Sequence, residues 1–324
     1  MAATMAAALF DGRLSYVTNY PLPEKQPGWA LIQVRTAGIC RTDLELMQGY
    51  LGFRGVLGHE FIGVVAESDD PAWTGKTVSG EINAACGRCE WCARGLGRHC
   101  PHRTTLGIVN HDGCMAEYCV LPAANLVEIP VTLPVAKAIL LEPLSAACEI
   151  LEQLTIRGNE RIVIIGDGRL GILCAWALAT VASDVTILGH HTVKLALAQW
   201  RGIKTALSGD FTVSAGADIV VEATGSSTGL SEAIRLCRPR GTIVLKSTVA
   251  LPQNINLASL VIDEITVIGS RCGRFEAGLR MMQDYPDMPL TNMITARFPL
   301  SQVEKAFTRA VQGDALKILL DISP

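Results

Sequence analysis

An α/β protein built as two units is predicted, and three observations predict it. The first 80 or so residues carry short β-type runs broken by glycine and proline, such as Ala30–Arg35 and Phe61–Ala66, the pattern of a small barrel-like lobe. From Arg161 onward, apolar strand-like runs alternate with helical ones, the signature of a doubly wound parallel sheet. At 324 residues the chain exceeds the size at which a single core stops growing.

Composition narrows the function classes. Hydrophobic residues make up 49% and charged residues 18%, which describes a globular protein with a well-filled core. The 28 Lys+Arg against 31 Asp+Glu leave a net charge of -3, and no basic run draws the chain to phosphate backbones or anionic lipid, so nucleic acid and membrane are excluded as partners. Met1–Phe10 lacks a basic n-region and runs into the turn signal Asp11-Gly12, so it reads as a first strand rather than a signal peptide. The longest nearly apolar stretch, Ile172–Ala182, falls short of the roughly 18 residues a membrane span needs. Eleven cysteines without an export signal imply a reducing, cytoplasmic setting in which thiols serve as metal ligands or core.

The first chemically loaded stretch reads Cys40-Arg41-Thr42-Asp43 and then Gly58-His59-Glu60. A thiolate, an imidazole and a carboxylate form the mixed donor set that zinc accepts, and three protein ligands leave a fourth position open for chemistry. Next, Cys86, Cys89, Cys92 and Cys100 fall within fifteen residues at C-x2-C-x2-C-x7-C spacing. Four thiolates in one loop can hold a closed tetrahedral zinc, crosslinking a segment with too little apolar content to fold by packing. An iron–sulfur cluster is the alternative; the seven-residue last gap and the lack of a second such run argue against it.

From about residue 145 the pattern changes. Ser145–Leu154 reads as an amphipathic helix, and Arg161–Gly166 is a buried-strand run leading into Gly166-Asp167-Gly168-Arg169-Leu170-Gly171. That is G-x-G-x-x-G between a strand and an apolar helix (Leu170–Ala182), the context of a dinucleotide fingerprint, where glycines let backbone approach a pyrophosphate seated on a helix N-terminus. Strand runs follow at Asp184–Leu188, Ala217–Glu222, Gly241–Lys246 and Ile265–Ile268, with helical segments at Val193–Trp200 and Gly229–Leu236. From about residue 274 the character is mixed again, closing on Ala315–Leu320, a strand expected to rejoin the first lobe.

Taken in order, Gly38-Ile39-Cys40-Arg41-Thr42-Asp43, Gly58-His59-Glu60, the four-cysteine lobe, Leu141-Glu142-Pro143-Leu144 and the glycine loop resemble the zinc-dependent medium-chain dehydrogenases/reductases, the alcohol, sorbitol and threonine dehydrogenase-like group. The resemblance spans essentially the whole chain. It implies a GroES-like β-rich catalytic domain (1–145 and 274–324, with a structural-zinc lobe at 86–100) and a Rossmann domain (146–273). It implies two zinc ions, one structural and one catalytic. Cys40 and His59 would hold the catalytic ion, Glu60 would be an exchanging ligand, and Glu142 would lie at or just beyond the metal. Asp43 would orient the His59 ring. Thr42 would relay the proton of the substrate hydroxyl. Where many members carry a histidine five residues after the first ligand, this chain has Glu45, and either solvent or Glu45 would take over the outer relay.

The same resemblance brings Arg41 and Lys317 to the pyrophosphate, and places Thr224-Gly225 and Gly269-Ser270 along the nicotinamide and its ribose, beyond the strand ends where open sheets bind ligands. The acid that normally grips the ribose 2'-hydroxyl is missing from the strand end, which reads Gly189-His190-His191-Thr192 with Lys194 following. A small residue, two imidazoles and an amine would accommodate a 2'-phosphate, so NADP is expected over NAD. The expected activity is hydride transfer between a secondary alcohol or polyol and NADP (or NAD) through a zinc-bound alkoxide, in a homodimer or homotetramer with Leu260–Ile268 as an intersubunit edge. The alternative is a non-catalytic zinc- and nucleotide-binding sensor of the same fold, favoured only by Glu45.

Overall fold

β-Branched and apolar runs separated by Gly, Pro and Asp turns fold the early chain into strands. The structure, a computed structural model, describes residues 3–211, 216–248 and 255–322. Its strands are β1 (Thr4–Phe10), β2 (Leu14–Pro21), β3 (Trp29–Gly38), β4 (Gly55–Val56), β5 (Glu60–Ser68), β6 (Thr77–Gly80), β7 (Asn83–Ala84), β8 (Thr104–Thr105), β9 (Tyr118–Pro122) and β10 (Leu126–Glu128). Three short helices interrupt them, α1 (Arg41–Met47), α2 (Glu90–Ala93) and α3 (Val135–Ala138). β3 is the spine. Its alternating pattern buries Ala30, Ile32, Val34 and Thr36, and it pairs antiparallel with both β5 and β9.

Helix α4 (Leu141–Gln153) starts four residues earlier than its sequence pattern suggests, because Pro143 falls in the first turn, where a missing N–H costs no hydrogen bond. The parallel sheet follows as β11 (Arg161–Ile165), β12 (Asp184–Gly189), β13 (Lys204–Leu207), β14 (Ala217–Glu222), β15 (Cys237–Leu245) and β16 (Thr266–Gly269), in the order β13-β12-β11-β14-β15-β16. The connecting helices are α5 (Arg169–Leu178), α6 (Thr192–Ala198), α7 (Gly229–Leu236) and α8 (Ala258–Ile262). Helix α5 is buried from Gly171 to Leu178, and the Trp176 indole N–H donates to the Ala198 carbonyl at 3.0 Å. Val163, Ile165, Leu188, Val220, Leu236 and Ile243 form the core of this sheet, each worth about 1.5–3 kcal/mol of burial.

The chain closes with α9 (Phe275–Asp284), β17 (Ile294–Pro299), α10 (Val303–Ala310) and β18 (Lys317–Asp321). β18 pairs antiparallel with β3 and parallel with β17, so the terminal strand does rejoin the first sheet. Packing divides the chain into Met1–Glu142 with Ile294–Pro324, and Pro143–Met293. The return was expected at residue 274, but α9 packs in the second unit: Met281 Sδ lies 3.6 Å from Cys148 Sγ, and Arg274 Nε lies 3.1 Å from the Glu152 carboxylate. Among the described residues no helix is long and apolar enough to cross a membrane.

Candidate metal centre and nucleotide loop

Cys40 lies just past the end of β3, at the N-cap of α1. Its backbone N–H donates to Asp43 Oδ2 at 2.8 Å, and Asp43 Oδ1 accepts from the Gly58 N–H at 3.2 Å and lies 3.4 Å from His59 Nδ1. One fully buried carboxylate thus ties the Cys40 turn to the His59 turn. Gly58 holds φ near +100°, and a Cβ there would meet Met115 Cγ at 2.6 Å, so only glycine carries the chain into His59. Cys40, His59 and Glu60 bring ligand atoms within 4.8 Å of one another. Burial pulls the His59 imidazole pKa down, yet the Asp43 carboxylate and Cys40 thiol hold it well above its usual value. Such a set, with His59 and Glu60 buried and Cys40 half-buried, favours a cation, and its S, N and O donors suit zinc.

Thr42 Oγ1 lies 3.8 Å from Cys40 Sγ. Glu142, in the first turn of α4, lies outside the compact set. Arg41 and Glu45, expected at the pyrophosphate and in a proton relay, pair with each other one helical turn apart, Nε to Oε1 at 2.7 Å. Lys317 departs furthest from expectation. It is fully buried, forms an ion pair with Glu60, and its Nζ lies 3.4 Å from the Ile39 carbonyl. The register of β18 turns this side chain inward rather than to a pyrophosphate, and burial lowers its ammonium to about 8. Glu60 is therefore the counter-ion of Lys317 as well as a member of the donor set.

In the cysteine lobe, Cys89 Sγ lies 3.5 Å from Cys92 and 3.6 Å from Cys100, and Cys86 lies 4.0 Å from Cys92. The four thiols lie within 4.8 Å of one another, and none is in a disulfide. The hairpin β7–β8 and the one-turn helix α2, capped by Cys89, bracket them. The Arg88 backbone N–H lowers the Cys86 thiol to about 6, into the range where thiolate prevails at neutral pH.

In the second unit, Gly166 (φ +116°) carries the chain off β11, and a Cβ at Gly171 would come 1.9 Å from the Gly166 carbonyl oxygen, so the first turn of α5 closes on the loop only without side chains. Arg169 and Leu170 form that turn, while Gly168, its N-cap, faces open space. These are the requirements of a pyrophosphate-binding turn. At the β12 end the Asp167 carboxylate reaches across: Oδ2 accepts from the N–H of His190 (2.8 Å) and His191 (2.7 Å) and lies 3.0 Å from His191 Nδ1. Gly189 is where a side chain would collide with Asp167, and Lys194 is buried in α6 rather than presented to a ligand.

At the β14 end, buried Glu222 Oε1 accepts from the Thr224 N–H (2.8 Å), the Thr224 hydroxyl (2.5 Å) and the Ser247 hydroxyl (3.1 Å); Ser247 Oγ in turn accepts from the Gly225 N–H at 2.8 Å. Beside it, Lys246 Nζ donates to the Ala146 carbonyl, the Arg271 carbonyl and Ser270 Oγ at 2.6, 2.9 and 3.0 Å, fixing the turn that follows Gly269. Asp167, Glu222, Lys246 and Ser247 were missed from sequence. Three of them carried a signal: a charge or an acid closing an apolar strand run, or set between two glycines, is buried polar chemistry that needs a purpose.

An open parallel sheet with a glycine turn, joined in one chain to a β unit with a mixed S/N/O donor set, defines a dinucleotide-linked metal oxidoreductase class. Family models agree: residues 26–131 match the alcohol dehydrogenase GroES-like domain and residues 135–322 the glucose dehydrogenase C-terminus. An L-threonine 3-dehydrogenase of Bacillus velezensis is 30% identical, over 93% of this chain and 93% of its own length. A sorbitol dehydrogenase of Halalkalibacterium halodurans is 27% identical, over 92% of this chain and 93% of its own. Among solved structures, a zinc-binding dehydrogenase of Sinorhizobium meliloti bound to NADP superposes with a TM-score of 0.88 at 26% identity, covering 98% of this chain and 99% of that one. An Escherichia coli alcohol dehydrogenase complexed with NADH shares the fold, with a TM-score of 0.90 at 22% identity, covering 99% and 100%. The chain belongs to the zinc-type medium-chain alcohol dehydrogenase family.

Proposed function

We propose that the chain transfers a hydride between a secondary alcohol or polyol and a nicotinamide dinucleotide at the Cys40 site. The observation that carries this reading is the Cys40–His59–Glu60 donor set, oriented by the single buried carboxylate of Asp43. Zinc bound there supplies Lewis acidity toward an alcohol oxygen and eases loss of its proton at neutral pH. The Thr42 hydroxyl accepts and passes on that proton, Asp43 keeps the His59 ring in place, and the carbinol carbon releases its hydride to the nicotinamide. Thr224, Gly225, Gly269 and Ser270, fixed by Glu222 and Lys246, line the nicotinamide and ribose. The pairing of Arg41 with Glu45 removes Glu45 as a free relay, so the proton leaves Thr42 through solvent.

The four-cysteine lobe takes a second, structural zinc, and the substrate class follows relatives named for sorbitol, erythritol or threitol, and threonine. A dimer formed through the exposed edge strand β16 is supported by the apolar residues Val261, Ile262 and Val267 facing outward at and beside it. The Arg41–Glu45 pair is also the one observation that favours a sensor lacking turnover. The test is a panel of secondary alcohols, polyols and amino alcohols, each followed with NAD and with NADP. Turnover on at least one is expected, and Cys40→Ser is expected to abolish it while nucleotide still binds. Full activity in that variant would remove the metal centre from the mechanism; silence of the zinc-loaded wild type across the panel would favour the sensor.

A further inference from the structure

The acid missing from the β12 end is supplied from elsewhere in the chain. In dinucleotide-binding sheets a carboxylate closing the second strand receives the adenosine ribose hydroxyls. At that place this chain has Gly189, and a Cβ there would lie 2.3–2.4 Å from Asp167 Cβ, Cγ and Oδ2. The two positions compete for one volume, and the side chain that fills it comes from the glycine loop. Asp167 is 7% exposed, and its Oδ2 is held by the His190 and His191 backbone amides and the His191 ring. Among the described residues Oδ1 makes only the longer 3.3 Å approach to the same imidazole, which leaves a lone pair at the strand end able to accept a hydroxyl.

The same contacts bear on a 2'-phosphate. The two amides that would otherwise cup an anion are already donating to Asp167. The His191 ring is engaged by the carboxylate, and Lys194 is buried in α6. A 2'-phosphate would bring nearly two further negative charges against a fixed carboxylate. Resting on the dinucleotide reading above, we propose that Asp167 is the specificity-determining residue that accepts the ribose 2'-hydroxyl and excludes a 2'-phosphate, so that this chain prefers NAD to NADP. The preference for NADP expected from Gly189, His190, His191 and Lys194 is thereby reversed. An aspartate introduced at 189 would not test it, because that side chain has no room.

The experiment is calorimetric titration of the zinc-loaded protein with NAD+ and NADP+, and with the fragments 5'-AMP and 2',5'-ADP, for wild type, Asp167→Asn and Asp167→Ser, with thermal midpoints alongside. Wild type is expected to bind NAD+ and 5'-AMP more tightly than their 2'-phosphorylated counterparts. Asp167→Asn is expected to shift that ratio about tenfold toward the phosphorylated ligands, the change one charge-assisted contact makes. A purely structural role would weaken all four ligands together and leave the ratio unmoved, which overturns the proposal. A wild type that prefers NADP+ overturns it too. A folded wild type that binds none of the four overturns the dinucleotide reading itself, and the inference with it.

Discussion

The carboxylate of Asp43 is shared among the Cys40 amide, the Gly58 amide and the His59 ring, and is fully buried. Carboxylates placed behind a ligating histidine fix its orientation and raise its basicity, and losing one typically costs 10–100-fold in metal affinity. Asp43→Ala is therefore expected to lower zinc retention about 10–100-fold, read as metal content after dialysis against graded chelator; unchanged retention would reduce Asp43 to a turn residue. His111 gives a pH dependence. Burial holds its imidazole below the usual value, against the Val120 carbonyl and Asp112, which pull upward. The unfolded chain then binds more protons than the folded one just below about pH 6.5, so stability rises with pH through that window and is lost as pH falls below it. His111→Asn should flatten the fall in thermal midpoint between about pH 7 and pH 5, and an identical slope would exclude this histidine as its source.

At the scale of elements, legibility followed sequence distance. The glycine turn and the cysteine lobe were readable because each lies within a few residues of itself: C-x2-C-x2-C-x7-C closes in one loop, and G-x-G-x-x-G joins one strand to one helix. Asp167 acts on a loop 23 residues downstream, and Lys317 acts on Glu60 only because β18 pairs with β3, so no local pattern could assign either. The lobe also makes a separable prediction. A strong chelator should expose four reactive thiols there, Cys86, Cys89, Cys92 and Cys100. Cys119, Cys148 and Cys174 should stay silent at pH 8, because burial pushes their thiols up to about 12, 12 and 11. Thiol titration with and without chelator checks both halves, and labelling of Cys148 in the folded protein would contradict its packing against Met281.

For the whole molecule, β16 closes one side of the six-stranded sheet with no further strand paired to it among the described residues. Val267 on β16, with Val261 and Ile262 on α8, leaves an apolar edge that most chains shield. Val267→Lys is expected to convert the proposed dimer to a monomer by sedimentation or light scattering with the fold intact, and an unchanged mass would overturn β16 as its interface.

The first sheet is finished by β18, a strand made only after the whole of the second unit, Pro143–Met293, has been synthesised. The second unit is continuous in sequence, whereas the first must wait for a strand that lies more than 280 residues downstream of its partner β3. Until that strand docks, Glu60 lacks the ammonium that balances it in the interior, a vacancy of the kind that costs about 3–5 kcal/mol in a finished protein. The nascent first unit therefore holds its candidate metal-ligating cysteines in an unfinished sheet for the whole time that the second unit is being translated.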